Sequence, residues 1–315
     1  MTAELDNLLI LSSQDDFHDR FTGIRAAVFS ATHFEPGSEQ SRQLNEILDK
    51  VILEKDKAVS ELTEKLDGVR LEPDEFRVPA EQIEKAHQQI DPDLLETLKK
   101  AIANVRNYQS EIFIPDKFSH PGIKFTPIRR VGICVPGASA PLPSTVIMTA
   151  VPAQVAGVEQ IAVISPPRYH NSVHPVTLAV CRELGIYEVY RIGGAQAVMA
   201  LAQGTPTIPN VDKIVGPGNQ WVSMAKKAVL GIVGIDSVAG PSEVLIIASD
   251  QAHPDWVAAD MLSQAEHGPG SAVVFTDSRD FARKVLAELK TQVTRLDRCE
   301  QTMDCLLKFS GIVAF

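Results

Sequence analysis

From Arg129 onward, short β-branched runs alternate with helix-length segments, and this alternation constrains the fold more than any other feature of the chain. The runs predict strands at 131–135, 160–165, 187–192, 213–216, 244–248 and 272–276. Helical stretches near 145–156, 173–184, 195–202, 220–230, 254–267 and 279–294 separate and follow them. Strands returned by helices require right-handed crossovers, and so a largely parallel sheet covered on both faces. A length of 315 residues suits about two domains at ~150 residues each, and a 44% hydrophobic content is ample for two cores. The fold class is therefore α/β, and disorder is excluded as the main state.

Residues 1–128 have a different texture, mostly helical. Over 41–66 the apolar positions Leu44, Ile47, Leu48, Val51, Ile52, Val59, Leu62 and Leu66 recur at three- and four-residue steps, predicting one amphipathic helix. Asp67-Gly68 stops it. A second helical stretch over 79–90 ends at Asp91-Pro92, where Asp suits a helix cap and Pro the first helical position. A third helix follows, with Leu94, Leu95, Leu98, Ile102 and Val105 on one face. Between 115 and 127 the chain is rich in Pro and Gly, as expected of a connector into a new domain.

Lys plus Arg total 30 against 40 Asp plus Glu, a formal charge of −10 that gives no broad attraction to nucleic acid or anionic membrane. No run approaches the ~18 apolar residues of a membrane span, and the first residues carry Glu4 and Asp6 rather than a basic segment, so a soluble cytoplasmic protein is expected. Cys134, Cys181, Cys299 and Cys305 have no C-x-x-C spacing, so reduced and mostly buried thiols are expected, with neither a disulfide framework nor a thiolate zinc site. Cys134 has no basic neighbour in sequence to activate it.

Four loops carry more Gly and Pro than turns require: 136–141, 193–196, 216–219 and 239–243. Most adjoin a predicted strand end, where an open α/β sheet places its ligand crevice and helix N-terminal amides hold anions. A phosphate-bearing cofactor fits there, although no G-x-G-x-x-G or P-loop pattern occurs. Gln264 and His267, three residues apart at a predicted helix end, project from one face and can share a metal. The alternative is that His267 merely satisfies the helix C-terminus before Gly268-Pro269, and spacing alone favours it. His170 and His174 are read as a solvated helix start, Lys226 and Lys227 as a solvated helix face, and Trp221 and Trp256 as packing residues.

Taken together, these segments resemble histidinol dehydrogenase. The similar text runs from 130–132 through Pro136-Gly137, 143–146 and 152–158. It continues through 193–197, 211–219, 235–236 and 239–244 to 262–267, in order from about Leu44 to the C-terminus. The resemblance implies oxidation of L-histidinol to L-histidine by successive hydride transfers, through a bound aldehyde, using NAD and a zinc ion. It implies that Gln196 and Asn219 contact NAD, that Ser242 contacts substrate, and that Gln264 and His267 are zinc ligands bordering the substrate. Cys134 falls at a further NAD-contacting position, where the family usually has a tyrosine; a thiol does not replace a ring that stacks and hydrogen-bonds.

The fold implied is two incomplete Rossmann-like domains with largely parallel sheets, preceded by a helical N-terminal region. Residues 134–239 would form the second, inserted domain, and 1–133 with 240–315 the discontinuous first. In the family a Glu-His pair that handles protons lies beyond the position of Phe315, so none of the residues here is assigned a catalytic role. The remaining zinc ligands, an aspartate and a histidine, lie there too, as does a C-terminal segment that reaches the neighbouring subunit of a homodimer. The 315 residues by themselves are therefore expected to be inactive or nearly so, with an exposed strand edge that favours aggregation. The alternatives are a non-catalytic relative acting as an NAD-binding or interaction module, and a dehydrogenase of another amino alcohol.

Overall fold

The computed structural model describes residues 2–32, 35–114, 122, 124–137, 141–238, 242–266 and 270–315. The chain divides into two units, one of Met1–Glu35 with Gly240–Phe315 and one of Pro36–Ala239. The helices between residues 39 and 112 therefore belong to the same unit as the strands from 130 to 235, while the helix over 17–32 belongs to the other unit. This corrects the expected boundary at 133/134, and the reason is packing.

The N-terminal segment supplies β1 (Leu9–Leu11) and α1 (Phe17–Thr32) to the first unit. In the second unit, α2 (Glu39–Glu54), α3 (Asp56–Asp67), α4 (Ala80–Gln89) and α5 (Pro92–Ile112) precede β2 (Arg130–Cys134). Then come α6 (Pro143–Val155), β3 (Gln160–Ile164), α7 (Pro175–Glu183), β4 (Val189–Tyr190) and α8 (Gly194–Gln203). β5 (Lys213–Val215), α9 (Gln220–Ala228) and β6 (Gly234–Ile235) complete it. Helices α2 and α3 pack on α8, α4 on α7, and α5 on α6, so each amphipathic face is buried by a helix of the sheet layer. Ile83, Leu98, Val146 and Leu178 share one core there.

The helix expected over 41–66 is broken at Lys55, whose φ of 55° and ψ of −128° end α2 and begin α3. The periodicity is continuous, but the turn lets both helices reach α8. Asp56 anchors it: the buried carboxylate accepts from the Thr207 amide at 3.2 Å and the Thr207 hydroxyl at 3.0 Å. Gly68, at φ 72°, caps α3 where Asp67-Gly68 was expected to stop it. Asp91 caps α5 by accepting from the Leu94 amide at 2.8 Å, with Pro92 in its first turn.

The five strands of this unit are parallel, in the order β4-β3-β2-β5-β6. The chain runs outward from β2 to β4, then returns to β5 on the other side of β2. Strand order thus reverses between β2 and β5, the position where open α/β sheets bind ligands beyond their strand C-termini.

The first unit is completed by β7 (Glu243–Ile247), α10 (Pro254–Ala265), β8 (Ser271–Thr276), α11 (Arg279–Val293), α12 (Cys299–Phe309) and β9 (Gly311–Ala314). Its sheet is also parallel, in the order β1-β9-β8-β7. Val274 and Ile312 face a core with Met261, Phe281, Leu289 and Leu306 from the three helices. Phe275 alternates to the opposite face, where its ring lies 5.8 Å from that of Phe21 in α1. Coverage of that face is partial, contrary to the expectation of helices over both faces: Leu245 and Ile247 on β7 are 59% and 81% exposed. Among the described residues no helix is long and apolar enough to cross a membrane.

Candidate functional site

A cavity of about 910 Å³ opens at the C-terminal edge of the five-stranded sheet, at the strand-order reversal. Its floor is the end of β2 (Cys134 to Gly137) with the loops that follow β4 and β5, contributing Gly193, Gly194, Pro217, Gly218 and Asn219. These loops start helices α8 and α9, so two helix N-termini, each a positive dipole end, meet at the cavity. Asn219 is the cap of α9, its Oδ1 accepting from the Val222 amide at 3.1 Å.

Two glycines are required by this close approach. Gly194 sits at φ 72°, and a Cβ there would strike the side-chain oxygen of Gln196. Gly216 sits at φ 101°, and a Cβ would strike the Cys134 carbonyl oxygen. Gln196 lines the cavity, is fully buried, and neither its Oε1 nor its Nε2 has a partner among the described residues. A buried amide left unsatisfied costs ~1–3 kcal/mol, so this side chain is poised for a polar ligand group.

Cys134 borders the cavity but is buried, and burial pushes its thiol up to about 12 against the smaller opposing effect of Lys226. It contributes shape and not a nucleophile. The opposite wall comes from α2 and α3, which sequence reasoning left out of the site. There Lys50 and Glu61 pair at 2.5 Å. Arg168 reaches Asp67 at 3.3 Å and donates to the Gly137 carbonyl at 3.3 Å.

Lys226 departs from the solvated helix face expected for it. It is buried, donates to the Gly216 carbonyl at 2.9 Å and pairs with Asp236, whereas its neighbour Lys227 is exposed. Burial raises the Asp236 carboxyl, but Lys226 and the amides of Ser237 and Gly216 outweigh it and hold the group below its ordinary value. Trp221 lines the cavity. Trp256, expected to pack, is instead 66% exposed and stacks on the His253 ring at 4.3 Å.

The structure thus gathers Cys134, Gln196 and Asn219 around one cavity. Ser242 and Gln264 lie in the other unit, at the N-terminal edge of its sheet. Ser242 precedes β7, and its carbonyl accepts from the Ser271 amide at 3.4 Å. Gln264 sits in the last turn of α10 with its Nε2 buried and unpartnered among the described residues. His267 lies outside the described residues. Of the implied zinc pair only the Gln264 amide oxygen is therefore described, and the described residues contain no group of three or more His, Cys, Asp or Glu able to hold a metal. These donors do not fit a zinc site by themselves. His174 caps α7, its Nδ1 accepting from the Val176 amide at 3.2 Å, in keeping with a helix start.

The family model for histidinol dehydrogenase matches residues 33–315. The chain belongs to the histidinol dehydrogenase family. It is 49% identical over 262 residues to the histidinol dehydrogenase of Rhodopirellula baltica, covering 81% of this chain and 57% of that protein. With the histidinol dehydrogenase of Aquifex aeolicus it is 45% identical over 280 residues, covering 87% of this chain and 65% of the relative. The chain thus spans about three fifths of the length of these relatives, 57% and 65%. The crystal structure of histidinol dehydrogenase from Elizabethkingia anophelis is similar with a TM-score of 0.82 and 30% identity, covering 98% of this chain and 71% of that one.

Proposed function

We propose that this chain carries the NAD-binding part of a histidinol dehydrogenase, which oxidises L-histidinol to L-histidine through the aldehyde. The carrying observation is Gln196, a fully buried amide with no protein partner among the described residues, at a cavity where two helix N-termini converge. When bound, NAD supplies the hydride acceptor. The chain's own residues do the rest of the binding work: the N-termini of α8 and α9 receive the pyrophosphate, Asn219 holds the first turn of α9, and Gln196 hydrogen-bonds a polar group of the dinucleotide. Family membership supports L-histidinol as substrate, with Ser242 contacting it, and a role in histidine biosynthesis. The same membership supports a cytoplasmic homodimer acting on a small molecule. The zinc that the family resemblance implies would take Gln264 and His267. Since those donors do not make a site by themselves, the proposal stands on the nucleotide half.

Titration with NADH, read by its fluorescence, tests this reading against Gln196→Leu. Leucine removes the unsatisfied amide, so the ligand-free protein gains ~1–3 kcal/mol of stability. It also loses the hydrogen bonds to the nucleotide, so NADH binds about tenfold more weakly or worse. Equal NADH affinity in both proteins would overturn the reading. Coupled assay of L-histidinol oxidation against imidazole-free amino alcohols tests the substrate, and equal rates would exclude a histidinol-specific pocket.

A further inference from the structure

Gly216 is held by its backbone from two sides. Its N–H donates to Asp236 Oδ2 at 2.8 Å, and its carbonyl accepts from Lys226 Nζ at 2.9 Å. The two side chains pair with each other, and Asp236 Oδ1 also accepts from the Ser237 amide at 2.6 Å. Lys226 lies in the last turn of α9, so the end of the helix is tied to the loop before its beginning. Pro217, Gly218 and Asn219 line the cavity immediately after this clamped residue, while Lys226 and Asp236 lie behind it.

Replacing a buried ion pair by apolar residues of similar volume is often neutral or stabilising, so anchoring α9 needs no charge. What an apolar pair cannot do is satisfy both polar groups of one residue held at φ 101°. We propose that Lys226 and Asp236 are positioning residues for dinucleotide binding: by fixing both backbone groups of Gly216 they aim the 217–219 loop and the α9 N-terminus into the cavity. The inference rests on the nucleotide reading above and extends it to two residues outside the cavity lining.

The test uses the whole protein with Lys226→Met and with the double variant Lys226→Met, Asp236→Asn, which leaves no unpaired charge and carries the test if the single variant folds poorly. NADH binding is measured by fluorescence, and amide hydrogen exchange is followed at Gly216, Gly218 and Ile133. Positioning predicts that both variants bind NADH about tenfold more weakly or worse, because neither can hold the Gly216 carbonyl. It also predicts that the Gly216 and Gly218 amides exchange about tenfold faster while Ile133, inside β2, keeps its protection. Parental NADH affinity in both variants, or parental exchange in the loop, overturns the inference. Recovery of affinity in the double variant alone also overturns it, since charge balance and not loop geometry would then be at stake. If the unaltered protein itself fails to bind NADH, the nucleotide reading falls and takes this inference with it. Normal binding by the unaltered protein beside unaffected variants removes this inference alone.

Discussion

At the scale of single residues, burial sorts groups that sequence treats alike. Cys134 and Cys181 are buried, and desolvation pushes both thiols up to about 12. Cys305 is also buried, its Sγ within 3.1 Å of both the amide and the carbonyl of Gly270. Cys299 is half-buried in the first turn of α12. Desolvation keeps such buried thiols protonated at pH 8, and thiolate is the reacting species. Brief treatment of the native protein with iodoacetamide at pH 8, followed by peptide mass mapping, is therefore expected to modify Cys299 first, with Cys134 and Cys181 reacting only on unfolding. Modification of Cys134 as fast as Cys299 would contradict the buried, inert role given to it at the cavity wall. The same sorting separates Lys226 from Lys227: adjacent helical residues point in different directions, one into a buried carbonyl and carboxylate, the other into solvent.

At the scale of elements, the break between α2 and α3 carries local strain. Lys55 adopts φ 55° and ψ −128°, a region that glycine enters without steric cost and other residues avoid. Lys55→Gly is expected to stabilise the protein by about 1 kcal/mol, the relief of strain exceeding the added chain entropy of glycine. Urea unfolding reads this as a higher midpoint at unchanged slope; an unchanged midpoint would mean that packing on α8 holds the turn without strain. This break was invisible in the sequence because a lysine between apolar positions of unbroken helical spacing is no stop signal. Asp67-Gly68 and Asp91-Pro92 were legible because their chemistry acts locally, as left-handed cap and side-chain cap. The floor of the cavity was legible for the same reason, since Gly194, Gly216 and Asn219 mark strand-to-helix turns. The wall from Lys50 and Glu61, and the clamp from Lys226 and Asp236, were not. Each depends on residues from separate turns or elements meeting in space, which periodicity does not encode. β1 and β6 escaped notice for their shortness, at 3 and 2 residues.

At the scale of the whole molecule, the β7 edge of the four-stranded sheet has no further strand beside it among the described residues. Among the described residues β7 pairs only with β8, and Leu245 and Ile247 on it are 59% and 81% exposed. An edge strand with apolar, solvent-facing side chains templates association through its free backbone groups. The net charge of −10 opposes that contact at long range. Salt weakens the opposition without weakening the apolar contact: the Debye length falls from ~10 Å at 0.1 M to ~3 Å at 1 M. The average mass from light scattering is therefore expected to rise with salt for the unaltered protein. For Ile247→Lys it should stay flat, because an edge lysine both removes apolar area and must be desolvated in any strand-to-strand contact. The substitution is on an exposed position, so its effect on stability should stay within ±0.5 kcal/mol. An equal rise of mass with salt in both proteins would place the contact elsewhere and leave the β7 edge without a role in association.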